Sequence, residues 1–239
     1  MEWYWIVLIV IGSLAGWFGL SAIFYRQFFK RFYDLVLSLL ALIILFPLLL
    51  LLTVIGSIVM KGNPFFVQQR PGKINPKTGK EKIFSIIKFR TMTNAKDKEG
   101  NLLPDVQRLT KYGRFLRSTS LDEILEFVSI VFADMSIVGP RPLLVSYLGF
   151  YTDEERQRHY VRPGLTGLAQ INGRNCVNWN ERLALDVQYV KNLSLLTDVR
   201  IILKTIVKVF KRDGIAVDSE TVEPYLDKER EKTNNNGIE

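Results

Sequence analysis

From Trp3 to Phe24 the chain runs 22 residues without a charge, and Trp3, Tyr4 and Trp5 at one end face Tyr25 at the other. A helix of that length covers the roughly 30 Å hydrocarbon core of a bilayer, with its aromatic ends at the two interfaces. Arg26, Lys30 and Arg31 follow at once. The positive-inside rule then puts the N-terminus outside and residue 26 onward in the cytoplasm. A cleaved signal peptide fits less well, because no basic residues precede the run and no small-residue cleavage site follows it.

A second apolar segment, Phe32 to Met60, differs in kind. Pro47 sits at its middle, where it removes a backbone hydrogen bond and bends a helix. Each half is then about 15 residues, roughly 22 Å, too short to cross alone. Basic residues flank both ends (Lys30 and Arg31; Lys61, Arg70 and Lys73), which favours both ends being cytoplasmic. Asp34 and Ser38 suit the headgroup layer. These features predict a re-entrant helix–bend–helix. The alternative is an ordinary span kinked at Pro47, with the remaining domain outside.

Beyond residue 61 the pattern becomes that of a compact domain. Phe65 to Gln69 and Glu81 to Phe89 read as short strands joined by turn-rich residues 71–80, which predicts a β-hairpin. Gly72 and Gly79-Lys80 do not make a P-loop, because six residues separate the glycines and Glu81 replaces the Ser or Thr. Residues 93–107 read as a polar loop, and helical patterning resumes near Leu109 and from Leu121 to Phe132. Gly139-Pro140-Arg141-Pro142 and Arg162-Pro163-Gly164 are rigid turns that each present an arginine. Asp198 to Arg212 is amphipathic, with Val199, Ile202, Leu203, Ile206, Val207 and Phe210 on one face and Arg200, Lys204, Lys208 and Lys211 on the other. Such a helix either packs on the core or rests on anionic lipid. Residues after Tyr225 are charged and Asn-rich, as in a disordered tail.

The expected organisation is an anchor over residues 1–27, a re-entrant helix over 28–61, a catalytic domain over 62–222 and a tail over 223–239. The fold class is α+β and mainly helical: one transmembrane helix, a Pro-kinked re-entrant helix, and a cytoplasmic domain with a β-hairpin and interfacial amphipathic helices.

Charge sharpens this division. Residues 1–60 carry a net +1, leaving +7 of the total +8 to the rest. A basic domain behind an apolar N-terminus points to an anionic partner. No nucleic-acid motif accompanies the charge, so nucleic acid is not expected as a partner. With a single cysteine (Cys176) and a single histidine (His159), an internal disulfide and a Cys/His zinc site are excluded. A lone histidine is more often a surface or packing residue than a catalyst. Chemistry falls to carboxylates, Arg, Lys and Mg²⁺.

Ser120-x-x-Glu123 has the form of a capping box opening a helix at Leu121. That reading coexists with a functional one. Carboxylates in a first helical turn are held ionised by the helix dipole, so Asp122 suits a carboxylate nucleophile. Glu123 supplies a hard oxygen of the sort Mg²⁺ accepts. Phosphoryl transfer also needs cations, and Lys88, Arg90, Arg114, Arg117, Arg141 and Arg162 are candidates, although any of them could instead contact lipid headgroups.

Several separated stretches together resemble one family. They are Lys30 to Asp34, Pro47, Gly62 to Gly72, Phe84 to Met92 (FSIIKFRTM), Leu109 to Glu123 (LTKYGRFLRSTSLDE), Ser136 to Leu143 (SIVGPRPL) and Arg162 to Gly173 (RPGLTGLAQING). The chain is similar over about residues 28–215 to the bacterial sugar transferases, the monotopic polyprenyl-phosphate phosphoglycosyl transferases. The resemblance implies that Asp122 attacks the β-phosphate of a UDP-sugar, releases UMP and carries a covalent phosphosugar. A polyprenyl phosphate, usually undecaprenyl phosphate, then takes it off, as the first membrane step of bacterial glycoconjugate assembly. It further implies Mg²⁺ at Glu123, phosphate binding by Arg141, a helix bend at Pro47 and a place on the cytoplasmic side of the inner membrane. Phe46 stands where the family pattern commonly has a serine before that proline. The anchor is outside the minimal family unit and is free to serve in homodimer contacts or to hold the enzyme near partners. Rival readings are a glycosyltransferase that releases UDP, weakened by the lack of a D-x-D, and a non-enzymatic membrane adaptor.

Overall fold

The computed structural model describes residues 3–173, 178–211 and 225–236; Cys176, Arg212 and the end of the expected catalytic domain lie outside them. Helix α1 (Trp3–Ile23) leads through one π turn (Tyr25–Phe29) into α2 (Lys30–Met60). Both are long and apolar enough to cross a membrane. α2 keeps one helical hydrogen-bonding run with Pro47 inside it, so the proline does not divide it into two helices. Thr53 and Ser57 donate back to the carbonyls of Leu49 and Thr53 at 2.7 and 2.9 Å, a pattern that bends helices.

Strands β1 (Phe65–Ile74) and β2 (Glu81–Phe89) form the expected antiparallel hairpin, longer on its first arm than the sequence suggests. Side chains alternate across a strand. On β2, Phe84 and Ile86 point to one face, where Phe127, Ile130 and Met135 cover them. Phe89 points to the other and packs on Leu52 of α2 and Leu116. The hairpin thus carries side chains into two clusters, one shared with α5 and one shared with α2 and α4.

After β2 come the short α3 (Asp105–Arg108), α4 (Lys111–Thr119), a 3₁₀ turn (Leu121–Glu123) and α5 (Glu126–Val131). Gly113 lets α4 lie against the strand exit: a Cβ there would sit 2.0 Å from the Thr91 carbonyl oxygen. Then follow β3 (Ser136–Val138), a 3₁₀ helix (Val145–Phe150), α6 (Asp153–Arg156), a second 3₁₀ helix (Gln157–Tyr160) and β4 (Gly164–Thr166), which pairs in parallel with β3. The chain closes with α7 (Leu168–Asn172), α8 (Trp179–Lys191), α9 (Leu195–Lys211) and α10 (Leu226–Asn236).

The first turns of α2 are bolted to this domain. Asp34, expected near headgroups, is buried instead and accepts from Ser136 Oγ at 2.7 Å and Ile137 N at 2.9 Å. Arg31 donates to the carbonyls of Ile130 and Val131 that end α5. Lys30 reaches Asp198 at 2.6 Å and the Val138 carbonyl at 2.9 Å. Tyr25 and Tyr189 donate to the two oxygens of the same Asp198. These groups prefer protein because it supplies fixed donors and counter-charges that neither lipid nor water offers in one place.

Of the two environments open to α9, the structure gives a divided answer: Ile201 and Asp198 are buried and Ile202 packs on the core, while Val199, Leu203, Ile206 and Val207 remain exposed. One expectation fails: the charged C-terminal stretch is not wholly disordered. α10 forms, and Leu226 is fully buried against Tyr147, Trp179 and Leu183. Polarity averaged over the tail conceals the docking pair, Leu226 in the core cluster and Arg230, which donates to Glu155 at 2.7 Å and Asn180 at 2.9 Å.

Candidate active site

Continuing the Phe84, Ile86 face of β2 by one more alternate position gives Lys88, so the hairpin aims an ammonium at the start of α5. Lys88 Nζ lies 2.7 Å from Glu123 Oε1 and 3.0 Å from Glu126 Oε1. Arg141, from the rigid turn after β3, closes on Glu123 from the other side. It gives one hydrogen bond to Oε2 at 3.2 Å and a second, shorter one to Oε1. Arg117, at the end of α4, donates from Nε to Thr91 Oγ1 at 3.2 Å, and its charge acts on Asp122.

The local backbone differs from the expected capping box. Ser120 is a left-handed residue (φ 57°) that ends α4, and its hydroxyl caps nothing. Asp122 and Glu123 occupy a single 3₁₀ turn, too short to present a helix dipole. Their ionisation is set by neighbours instead. Burial and the Glu123 charge push the Asp122 carboxyl up to about 6, against the pull of Lys88, Arg141 and Arg117. Burial alone would raise Glu123 too, but Arg141 and Lys88 outweigh it and hold its carboxyl well below the usual range. Burial, seconded by Glu123, raises Glu126. Glu123 in turn holds the Arg141 guanidinium more firmly protonated. Asp122 is half-buried and takes no side-chain hydrogen bond among the described residues. It is the carboxylate that remains chemically available.

The structure thus brings together Asp122, Glu123, Lys88, Arg117 and Arg141 of the candidates. Arg162 works elsewhere: its Nε donates to the Ala133 carbonyl at 2.8 Å, and the charges acting on it are Arg31, Asp34 and Asp134. Arg114 is exposed and Arg90 half-buried; among the described residues neither is hydrogen-bonded or ion-paired to the cluster. Two members went unnoticed in the sequence. Glu126 was signalled by its i+3 spacing from Glu123, one helical face. Arg70 lies within the field of Arg141, Glu126 and Glu123, and burial with the Arg141 charge lowers its pKa; only the hairpin's tertiary placement reveals it. His159 is the packing residue expected. It is buried with Nδ1 3.1 Å from the Gly72 carbonyl oxygen, and burial drops its pKa to about 3, so it stays neutral.

A carboxylate pair ringed by cations, on a turn whose Leu121 and neighbouring Leu125 pack in one cluster with Leu48, Leu49 and Leu52 of the apolar helix α2, is the site of an enzyme that handles anionic groups. The chain belongs to the bacterial sugar transferase family, which it matches over residues 25–212. It is 45% identical over 191 residues to a protein named uncharacterized sugar transferase EpsL of Bacillus subtilis, covering 78% of this chain and 89% of that one. It is 35% identical over 206 residues to the undecaprenyl-phosphate galactose phosphotransferase of Salmonella typhimurium. It is 38% identical over 192 residues to the UDP-glucose:undecaprenyl-phosphate glucose-1-phosphate transferase of Klebsiella pneumoniae. The matches cover 79% and 76% of this chain but only 42% and 40% of those two longer relatives.

Proposed function

We propose that this sugar transferase moves a sugar phosphate from a UDP-sugar to a polyprenyl phosphate, with undecaprenyl phosphate the favoured acceptor. The observation that carries the reading is the division of labour inside the carboxylate cluster. Glu123 is paired with Lys88 and Arg141, whereas Asp122 beside it is left to react. In the first step an Asp122 oxygen forms a bond to the β-phosphorus and the bond from that phosphorus to the bridging oxygen breaks, so UMP leaves with that oxygen. In the second, the lipid phosphate oxygen attacks the same phosphorus and Asp122 departs as a carboxylate. Lys88, Arg117 and Arg141 hold phosphate oxygens and offset the charge that builds on them.

Among the described residues no three His, Cys, Asp or Glu side chains gather as a metal cage, but Glu123 Oε2 accepts only one hydrogen bond, from Arg141 at 3.2 Å, and keeps a lone pair. That donor set fits the mode of Mg²⁺ binding that uses one or two carboxylates and takes its other ligands from substrate phosphates and water. Glu123, with Asp122 beside it, would hold the ion. When bound it would neutralise part of the diphosphate charge.

The same reading places α1 across the bacterial inner membrane and α2 re-entering it at Pro47, with the domain on the cytoplasmic side. The exposed apolar face of α9 and its Lys and Arg residues then lie on anionic lipid. A homodimer through α1 is compatible with this arrangement.

The test is a panel of UDP-sugars presented to the purified enzyme without lipid acceptor. UMP release and a phosphosugar adduct on the peptide bearing Asp122, seen by mass spectrometry, are expected. With polyprenyl phosphate added, release of UDP would instead indicate direct glycosyl transfer, and normal turnover by Asp122→Asn would sink the covalent step.

A further inference from the structure

Arg141 lies between Pro140 and Pro142. Neither proline has an N–H, which leaves the turn one backbone donor, that of Arg141, and puts most of its fastening on its carbonyls and its flanks. Gly139 N donates to the Thr166 carbonyl at 2.8 Å, and Gly164 N donates to the Pro140 carbonyl at 2.9 Å, the close parallel contact of β3 and β4. The carbonyl of Arg141 itself is held by a side chain: Arg158 donates to it at 2.6 Å. Arg158 comes from the 3₁₀ helix Gln157–Tyr160 and is 2% exposed. Its Nε and terminal nitrogen both meet Asp186 Oδ2 of α8, at 3.0 and 2.7 Å, and Tyr151 flanks the guanidinium with its ring centroid at 5.7 Å.

A fully buried ion pair is a poor way to gain stability, since desolvation offsets most of the attraction. This one also leaves Asp186 Oδ1 without a hydrogen-bond partner among the described residues, so the pair is not arranged for the largest number of bonds. The arrangement does keep one planar guanidinium fixed, with a donor aimed at a single carbonyl. We propose that Arg158 and Asp186 are positioning residues for Arg141, setting the backbone from which it reaches the reacting anion. Asp186 orients Arg158, Arg158 fixes the Arg141 carbonyl, and the prolines stiffen the turn. The proposal rests on the reading that Arg141 holds substrate phosphate.

Removing one partner alone risks unfolding, because it strands a buried charge. The informative variant is therefore the full-length double replacement Arg158→Met/Asp186→Leu, which removes both charges at similar volume. Its thermal midpoint in detergent is expected to stay within a few degrees of the parent. KM for the UDP-sugar in the UMP-release assay is expected to rise roughly tenfold, the effect of losing a hydrogen bond from a charged donor. Arg158→Lys, which keeps the charge but lacks the planar fork, should show the same KM rise. In an Arg141→Ala background the double replacement should cost less than about twofold more, the mark of two changes acting through one group. An unchanged KM in a stable double variant, or full additivity with Arg141→Ala, overturns the positioning role. If Arg141→Ala itself leaves KM unaltered, the assignment of Arg141 to substrate phosphate fails first and takes this inference with it.

Discussion

The titration of Asp122 reports directly on the cluster. Its carboxyl, pushed up to about 6, is about nine-tenths ionised at pH 7. Only the ionised form attacks, so turnover should climb about tenfold per pH unit below that value and level off above it. Lys88→Met keeps the bulk of the stem and removes the ammonium that restrains Asp122 and pairs with Glu123 and Glu126. A neighbouring unit charge in a medium of effective dielectric near 20 is worth roughly 2 kcal/mol, or about one to two pH units. The acid limb should therefore move up by about that much, and turnover at pH 7 should fall about two- to tenfold from ionisation alone. Glu123→Gln works in the opposite sense, because it removes a like charge and frees Arg141 and Lys88 to act on Asp122. The assay is initial-rate UMP release from pH 5 to 9, reading the position of the limb and not its height. A limb that stays in place in Lys88→Met, or moves the same way in both variants, refutes the electrostatic account.

Asp122→Asn should abolish turnover yet raise the thermal midpoint at pH 7, because ionising this carboxyl in the fold is disfavoured; a lower midpoint speaks against that. Asp34→Ala strips two donors of their buried acceptor and should cost about 3 kcal/mol. Denaturant unfolding in detergent checks this, and a loss below about 1 kcal/mol would show that the α2 attachment is not energetically important. Leu226→Ala should cost about 2–3 kcal/mol if α10 docks through that side chain. Protease sensitivity confined to the segment after residue 224 would be its first sign, and unchanged resistance would contradict it.

Much of this architecture was legible in the sequence because it is written in local patterns. The apolar helices, the β2 alternation and the Asp122–Glu123 pair all rest on spacing of a few residues. What escaped was set by partners far along the chain. Asp34 looked like a headgroup residue until Ser136 and Ile137 were seen to claim it. Ser120 fitted a capping box by composition, but its left-handed backbone is fixed by how α4 ends against the hairpin. Arg162 and Arg141 sit in similar proline turns, yet Arg141 is bonded to Glu123 while Arg162 is tied to the Ala133 carbonyl. The α9 pattern predicted a helix and left its environment open, since periodicity identifies an apolar face without saying what covers it.

The alternation along β2 has a consequence for how the gene can change. One strand supplies both the wall of the core and the ammonium of the site, two residues apart on the same side. Deleting a single residue within 82–87 would exchange the two sides, sending Lys88 toward the membrane helix and a core side chain toward Glu123. Length changes in the exposed turn at residues 75–79 leave that phase intact. Variation in the hairpin should therefore collect at its tip, and a library of single-residue deletions scored for UMP release would separate the two regions sharply.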